Sequence, residues 1–280
     1  MEMMEKARDL MQLGVRTIEK DCSVYDAIAT LAECRISGLP VTDGSVLVGI
    51  ITEKDILQLL FREERLPGPV EKYMTRDVVT FEEEADVAEI WTCLVRQPYR
   101  RVPIVREGRP TGIVSRADLL RACMKNFEPG LSDGTRQSRG PRVQDVMTIG
   151  LQTTTLNSPL LEAAEILVTH GITGLPVVDD SMRLLGILSE KDVLRLLDSS
   201  PSRAWRVRDV MTPDVISFNV DDDLFDVCKC LANNSFRRVP VLDRGRLVGI
   251  ISRADLILYI LKHRTILFRG RALVDSCATC

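Results

Sequence analysis

The chain is predicted to be an α/β (α+β) protein of four βαββα repeats, and three observations carry that prediction. The stretch GIITEKDIL at residues 49–57 recurs as GIVSRADLL (112–120), GILSEKDVL (186–194) and GIISRADLI (249–257). Each copy begins nine or ten residues beyond a proline, Pro40, Pro103, Pro176 or Pro240, that opens a short apolar run. Each proline is preceded by an amphipathic segment, so helical and extended patterns alternate in a fixed order.

The helix before each proline is specified by its apolar spacing. Val24, Ala27, Ile28, Leu31 and Ala32 follow the i, i+3, i+4, i+7, i+8 pattern of one buried face. Val87, Ile90, Trp91, Leu94 and Val95 repeat it, as do Leu160, Ala163, Ala164, Leu167 and Val168, then Leu224, Val227, Cys228, Leu231 and Ala232. Ser23, Asp86 and Asp223 are N-cap residues with an acid three positions on. The third unit reads Ser158-Pro159, expected as a cap followed by proline at the first helical position. Two strand-like runs follow each proline, PVTD and VLVGII in the first unit. The segment after the second run returns to helical spacing. Elements this short cannot close a core alone, so the units are expected to pack in pairs.

The units alternate in type. The first and third share I-[ST]-G-L-P and E-K-D, whereas the second and fourth share R-R-V-P and S-R-A-D. Pro40 to Pro176 spans 136 residues and Pro103 to Pro240 spans 137, so an A–B pair has been duplicated as a block. The expected organisation is a first module over 1–125 (repeats about 8–62 and 70–122), a linker over 126–141, a second module over 142–262 (repeats about 142–198 and 206–262) and a tail over 263–280. The linker is polar and rich in Gly, Ser and Pro.

Composition narrows the function. At 280 residues and net charge −3 the chain has no global basic field to attract nucleic acid. No stretch approaches the ~18 uninterrupted apolar residues of a membrane span, and the N-terminus lacks the apolar core of a signal peptide, so a cytoplasmic location is expected. Six of the eight cysteines lie within periodic apolar segments, where reduced cysteine acts as a small apolar residue. Cys277 and Cys280 form a C-x-x-C at the extreme terminus and read as a frayed tail, because only His170 and His263 could complete a metal site. Linker and tail leave too few residues for a catalytic domain, and there is no P-loop or G-x-G-x-x-G, so no catalytic activity, catalytic residue or metal is expected.

The recurring hydroxyl and aspartate carry the chemistry. Thr52/Asp55, Ser115/Asp118, Ser189/Asp192 and Ser252/Asp255 resemble capping boxes and are expected to start four helices. The invariable choice of Asp over Glu suggests a further role. A carboxylate at a helix N-terminus can accept both hydroxyls of a ribose diol, while the adjacent hydroxyl and free amides meet a phosphate. The second clue is Arg100-Arg101 and Arg237-Arg238, which precede the prolines of the B units only. Paired arginines beside an apolar strand face either water or an anion, and their fork geometry suits phosphate.

Four such motifs in register, each with its upstream helix and h-P-V strand, resemble the cystathionine-β-synthase (CBS) domain, and each A–B pair resembles a Bateman module. The resemblance covers residues of about 8–122 and 142–262. It implies ligand clefts between paired repeats, with the motif Asp on ribose and the motif hydroxyl near ribose and phosphate. It also implies that a hydroxyl residue of the first strand, Thr17, Thr80, Thr153 or Ser217, borders each site. On that basis the better clefts combine Thr17, Thr52, Lys54 and Asp55 with Arg100 and Arg101, and Thr153, Ser189, Lys191 and Asp192 with Arg237 and Arg238. The other two clefts, Thr80, Ser115, Arg116 and Asp118, and Ser217, Ser252, Arg253 and Asp255, face Ser37-Gly38 and Thr173-Gly174 and are expected to lack the basic clamp.

The expected function is a non-catalytic regulatory sensor of adenine nucleotides (AMP, ADP or ATP) that passes occupancy to an unidentified regulated protein. The alternatives are an S-adenosylmethionine-type adenosyl ligand, or a ligand-free scaffold for dimerisation. Leu57, Leu60, Leu194 and Leu197, close to the motif, are expected to find apolar partners. Those partners would come from the other module of one chain, in a flattened disc, or from a second chain in a homodimer.

Overall fold

The computed structural model describes residues 6–34, 36–60, 68–125, 140–195 and 205–263. Most of the expected linker, the tail with Cys277 and Cys280, Leu197 and the Leu60 side chain lie outside the described residues.

A short helix α1 (Ala7–Leu10) and strand β1 (Gln12–Leu13) lead into the first repeat. That repeat comprises β2 (Ile18–Glu19), α2 (Val24–Glu33), β3 (Gly38–Asp43), β4 (Val46–Thr52) and α3 (Glu53–Leu60). The second runs β5 (Phe81–Glu82), α4 (Val87–Arg96), β6 (Arg101–Arg106), β7 (Arg109–Ser115) and α5 (Arg116–Lys125). The third runs α6 (Leu160–Thr169), β8 (Gly174–Val178), β9 (Leu184–Ser189) and α7 (Glu190–Leu194), with a parallel bridge Thr154↔Val177 where its siblings have a first strand. The fourth runs β10 (Phe218–Asn219), α8 (Leu224–Asn233), β11 (Arg238–Asp243), β12 (Arg246–Ser252) and α9 (Arg253–Lys262). The predicted α/β architecture is what the chain adopts.

Each repeat holds an antiparallel hairpin, with the first strand parallel to the hairpin's leading strand in repeats one, two and four. The register slips once in every hairpin, at Val41/Thr42, Ile104/Val105, Val177/Val178 and Val241/Leu242. The motif glycine sits beside that slip. Its role is close approach: a Cβ on Gly186 would lie 2.7 Å from the Thr212 carbonyl, and one on Gly249 would lie 2.6 Å from Met147 Sδ. A leader segment therefore lies flat on each motif strand, and only glycine leaves room for it.

Those leaders are exchanged. Gln12 pairs with Ile113, placing the segment before repeat one on repeat two, while Thr75 bridges Ile50 and places the next leader on repeat one. Thr148 bridges Ile250 and Thr212 bridges Ile187, so the second module repeats the exchange. Within each module the hairpin ends also meet, through Leu47 N–H donating to Gly108 O (2.9 Å) and Leu247 N–H donating to Met182 O (2.8 Å).

The helices then join the modules, like with like. Residues of repeats one and three form one core, in which α3 packs on α7. Those of repeats two and four form another, in which α5 packs on α8 and α9. Leu57 and Leu194 are buried in the first core, so the apolar faces expected to drive assembly are covered within one chain. The helix patterns hold with two corrections. Ala32 is exposed, one residue before α2 ends at Glu33. Pro159 is the N-cap of α6 rather than its first residue, and Ser158 Oγ lies 3.0 Å from Thr155 Oγ1 instead of capping the helix.

Candidate functional site

The four motifs fold locally as capping boxes. Thr52 donates its N–H (2.9 Å) and hydroxyl (2.7 Å) to Asp55 Oδ2. Ser115 does the same to Asp118 (2.8 and 2.6 Å), Ser189 to Asp192 (2.9 and 2.6 Å) and Ser252 to Asp255 (2.8 and 2.7 Å). The preference for Asp is thus explained in part by the cap itself: the short side chain takes both donors on one oxygen. The second oxygen remains available for other chemistry.

What that oxygen meets differs between copies. Asp118 Oδ1 accepts from Gln12 Nε2 at 3.0 Å and from the Arg121 guanidinium. Asp192 Oδ1 lies 3.8 Å from Arg195 Nη1. Among the described residues, Oδ1 of Asp55 and of Asp255 has no hydrogen-bond partner or ion pair. The residue three positions beyond the motif Asp sets this difference, being Gln58, Arg121, Arg195 and Leu258 in turn. Asp118 and Asp192 are correspondingly buried, whereas Asp55 and Asp255 are half-buried.

Residues of all four repeats line a half-open chamber of about 600 Å³, the size of a small-molecule site. Ser115 and Asp118 line it, with Lys54 and the arginines Arg100, Arg101, Arg237 and Arg238. The sequence paired Thr17 and Asp55 with Arg101, and the structure revises that pairing. The exchanged leader pairs antiparallel with β7 at Gln12 and Leu13, and its Gly14–Arg16 line the chamber together with Asp118 of the second motif. Thr80 lines a smaller cavity with Val48, Gly49 and Arg76, beside the first hairpin. Thr153 and Ser217 are half-buried just ahead of the Thr154 bridge and β10. Neither lines the chamber.

The arginine clamp also sits elsewhere than expected. Arg101 Nη2 donates to Ser37 Oγ (2.5 Å), and Arg238 donates to Thr173 Oγ1 and to Gly174 O (3.2 Å). The Ser37-Gly38 and Thr173-Gly174 positions, expected to mark clefts without a clamp, are the ones that hold it. Burial, reinforced by Arg237 and Arg100, pushes the guanidiniums of Arg101 and Arg238 down to about 10, so both stay charged at neutral pH. Glu53 and then Asp118 offset part of this at Arg101, and Glu190 and Asp255 do so at Arg238.

The motif arginines turn back onto helix ends. Arg116 donates to Leu94 O (3.0 Å) and Gln97 O (3.1 Å) at the end of α4, and Arg253 to Leu231 O (3.0 Å) and Asn234 O (2.7 Å) at the end of α8. Cations there meet the negative pole of the helix. Burial lowers both, Arg253 to about 10. Among the described residues Arg101, Arg116, Arg238 and Arg253 form no ion pair, while all four line the chamber. Lys191 is half-buried within its motif.

Sequence reasoning missed four contributors: Gln12 and Arg121 on Asp118, and the buried Glu53 and Glu190 between the modules. The glutamates occupy the same motif position as Arg116 and Arg253, so the alternation of E-K-D and R-A-D was their signal. Among the described residues no group of three or more His, Cys, Asp or Glu is placed to hold a metal, and no helix is long and apolar enough to cross a membrane.

Fold and chamber define a class: paired βαββα repeats that exchange leader segments around a central cavity. The chain belongs to the CBS domain family, whose model matches residues 7–62, 70–125, 143–199 and 207–262. The protein MJ1225 of Methanocaldococcus jannaschii is 31% identical over 194 residues, covering 68% of this chain and 69% of that protein. A 33.4 kDa protein in the ribosomal RNA operon of Thermofilum pendens is 27% identical over 180 residues, covering 62% of this chain and 60% of its own length. The crystal structure of MJ1225 is similar in fold, with a TM-score of 0.80 at 24% identity over 91% of this chain and 99% of that one.

Proposed function

We propose that the protein is a non-catalytic sensor that binds phosphate-bearing adenosine ligands of the AMP, ADP or ATP type and passes occupancy to a regulated partner. The observation that carries this reading is the chamber itself. Four half-buried arginines without carboxylate partners among the described residues line it beside a hydroxyl–Asp motif. Buried charge without a counter-charge is costly, and an anionic ligand supplies the missing complement. Asp55 and Asp255, whose Oδ1 atoms are uncommitted and whose neighbours Lys54 and Ala254 line the chamber, are the ribose acceptors in this reading, while the buried Asp192 lies near Arg195 and Asp118 is engaged by Arg121. A sulfonium ligand such as S-adenosylmethionine would add positive charge to a chamber already rich in it, so the same observation argues for phosphate.

Titration calorimetry with AMP, adenosine and S-adenosylmethionine tests the reading. Arg101→Ala should weaken AMP about tenfold or more, the loss of a charge-assisted hydrogen bond, and leave adenosine within about twofold. Asp255→Ala should weaken both, since both carry the diol. Equal losses for AMP and adenosine at Arg101 would leave that side chain structural, and tighter binding of S-adenosylmethionine than of AMP would replace the phosphate with a sulfonium.

A further inference from the structure

The residue after each motif hydroxyl is Glu53 or Glu190 in the A repeats and Arg116 or Arg253 in the B repeats. Both glutamates are buried, each 3% exposed. Glu53 Oε2 accepts from Arg237 Nη2 at 3.0 Å. Glu190 Oε2 accepts from Arg100 Nη1 at 3.3 Å and lies 3.8 Å from Arg237 Nη1. The Glu53–Arg237 and Glu190–Arg100 contacts join one module to the other, while Glu190–Arg237 lies within the second. Arg100 and Arg237 also line the chamber.

We propose that Glu53 and Glu190 are built-in competitors for ligand phosphate, holding Arg237 and Arg100 in the absence of ligand and yielding them when a phosphate arrives. The proposal rests on the phosphate reading above and deepens it by naming the groups that set the chamber's affinity for anions.

Three features favour competition over permanent glue. Each glutamate engages its arginine through a single hydrogen bond, whereas a settled Arg–carboxylate pair is commonly bidentate and at roughly 2.7–2.9 Å. Burial moves Arg100 down and Glu190 up, against the charged form of each, and it outweighs their mutual attraction. The same two guanidiniums face a cavity also lined by Arg101, Arg116, Arg238 and Arg253, which form no ion pair among the described residues, so a phosphate there meets further donors. Because the Glu53–Arg237 and Glu190–Arg100 pairs span the modules, phosphate binding exchanges a link between modules for a link to ligand. Occupancy thereby acquires a route to module packing.

The test uses the full chain with Glu53→Gln, Glu190→Gln and the double variant, titrated with AMP, adenosine and inorganic pyrophosphate. Competition predicts tighter AMP and pyrophosphate, about tenfold or more in the double variant, with adenosine within about twofold. Glue predicts reduced stability with AMP and pyrophosphate unchanged or weakened, and that result overturns the proposal. If the double variant does not fold, Glu53→Asp keeps the charge but withdraws it from Arg237, and the same tightening is expected. Tightening of pyrophosphate with no binding of AMP or adenosine would keep the competition and discard the nucleotide reading. AMP binding that ignores both glutamates would do the reverse. Absence of binding by all three probes to every form would overturn both.

Discussion

The two halves of the molecule are built from the same motif and solve different problems. Where repeats one and three meet, the motif helices bring Glu53 and Glu190 to the centre; where repeats two and four meet, they bring Arg116 and Arg253. Apolar faces pair like with like, A with A and B with B. Charges pair unlike with unlike, Arg237 with Glu53 and Arg100 with Glu190. Two forces of different character thus specify one arrangement. The hydrophobic term is large and non-directional, and the ionic term fixes which way round the modules lie.

The comparison can be broken at its charges first. Arg237→Ala strands Glu53 in the interior, while Glu190 keeps Arg100, and should cost about 3–5 kcal/mol in urea unfolding, the usual penalty for halving a buried ion pair. A loss near zero would mean that Glu53 finds water, and that the charges do not orient the modules.

The apolar halves come next. Leu119→Ala in the B core and Leu57→Ala in the A core each remove a buried side chain and should cost about 2–5 kcal/mol. Similar losses by the same measurement would establish that the halves share the load. A loss at Leu119 alone would make the A half dependent on its charges.

The smallest effect compares helix starts. Ser23→Ala removes a side chain that accepts from Asp26 N–H at 3.1 Å, and about 1 kcal/mol should be lost. Ser158→Ala should cost close to nothing, because Pro159 and not Ser158 caps α6. A comparable loss at both positions would show that the Ser158–Thr155 contact stabilises the third repeat as a cap does.

The repeat order, the helix faces and the capping role of the motif were legible because each depends on residues close in sequence. Spacing by three or four positions places Val24, Ala27 and Leu31 on one face whatever lies elsewhere. The pairing of clefts was not legible. It depends on strands of two residues, Gln12–Leu13 and its counterparts, too short to carry a periodic signal, and on their exchange between repeats. The arginines were singled out correctly as unusual, but their partners Ser37 and Thr173 lie 64 and 65 positions away. Local reasoning could name Arg101 as a cation in need of company without finding where it turns. Arg121 escaped for another reason: on an exposed helix turn it reads as an ordinary solvated charge, and only Asp118 and the Ala232 carbonyl of the opposite module give it a place.

The exchanged leaders bear on how such a chain can grow. A single repeat carries a glycine flattened to receive a strand that it does not itself supply, and its own leader ends on a neighbour. Copying one repeat alone would leave one groove unfilled and one segment with nowhere to lie. Copying two together leaves neither. The smallest unit that can be inherited intact is therefore the pair, and the near-equal 136- and 137-residue offsets between corresponding prolines are the trace of that constraint in the gene.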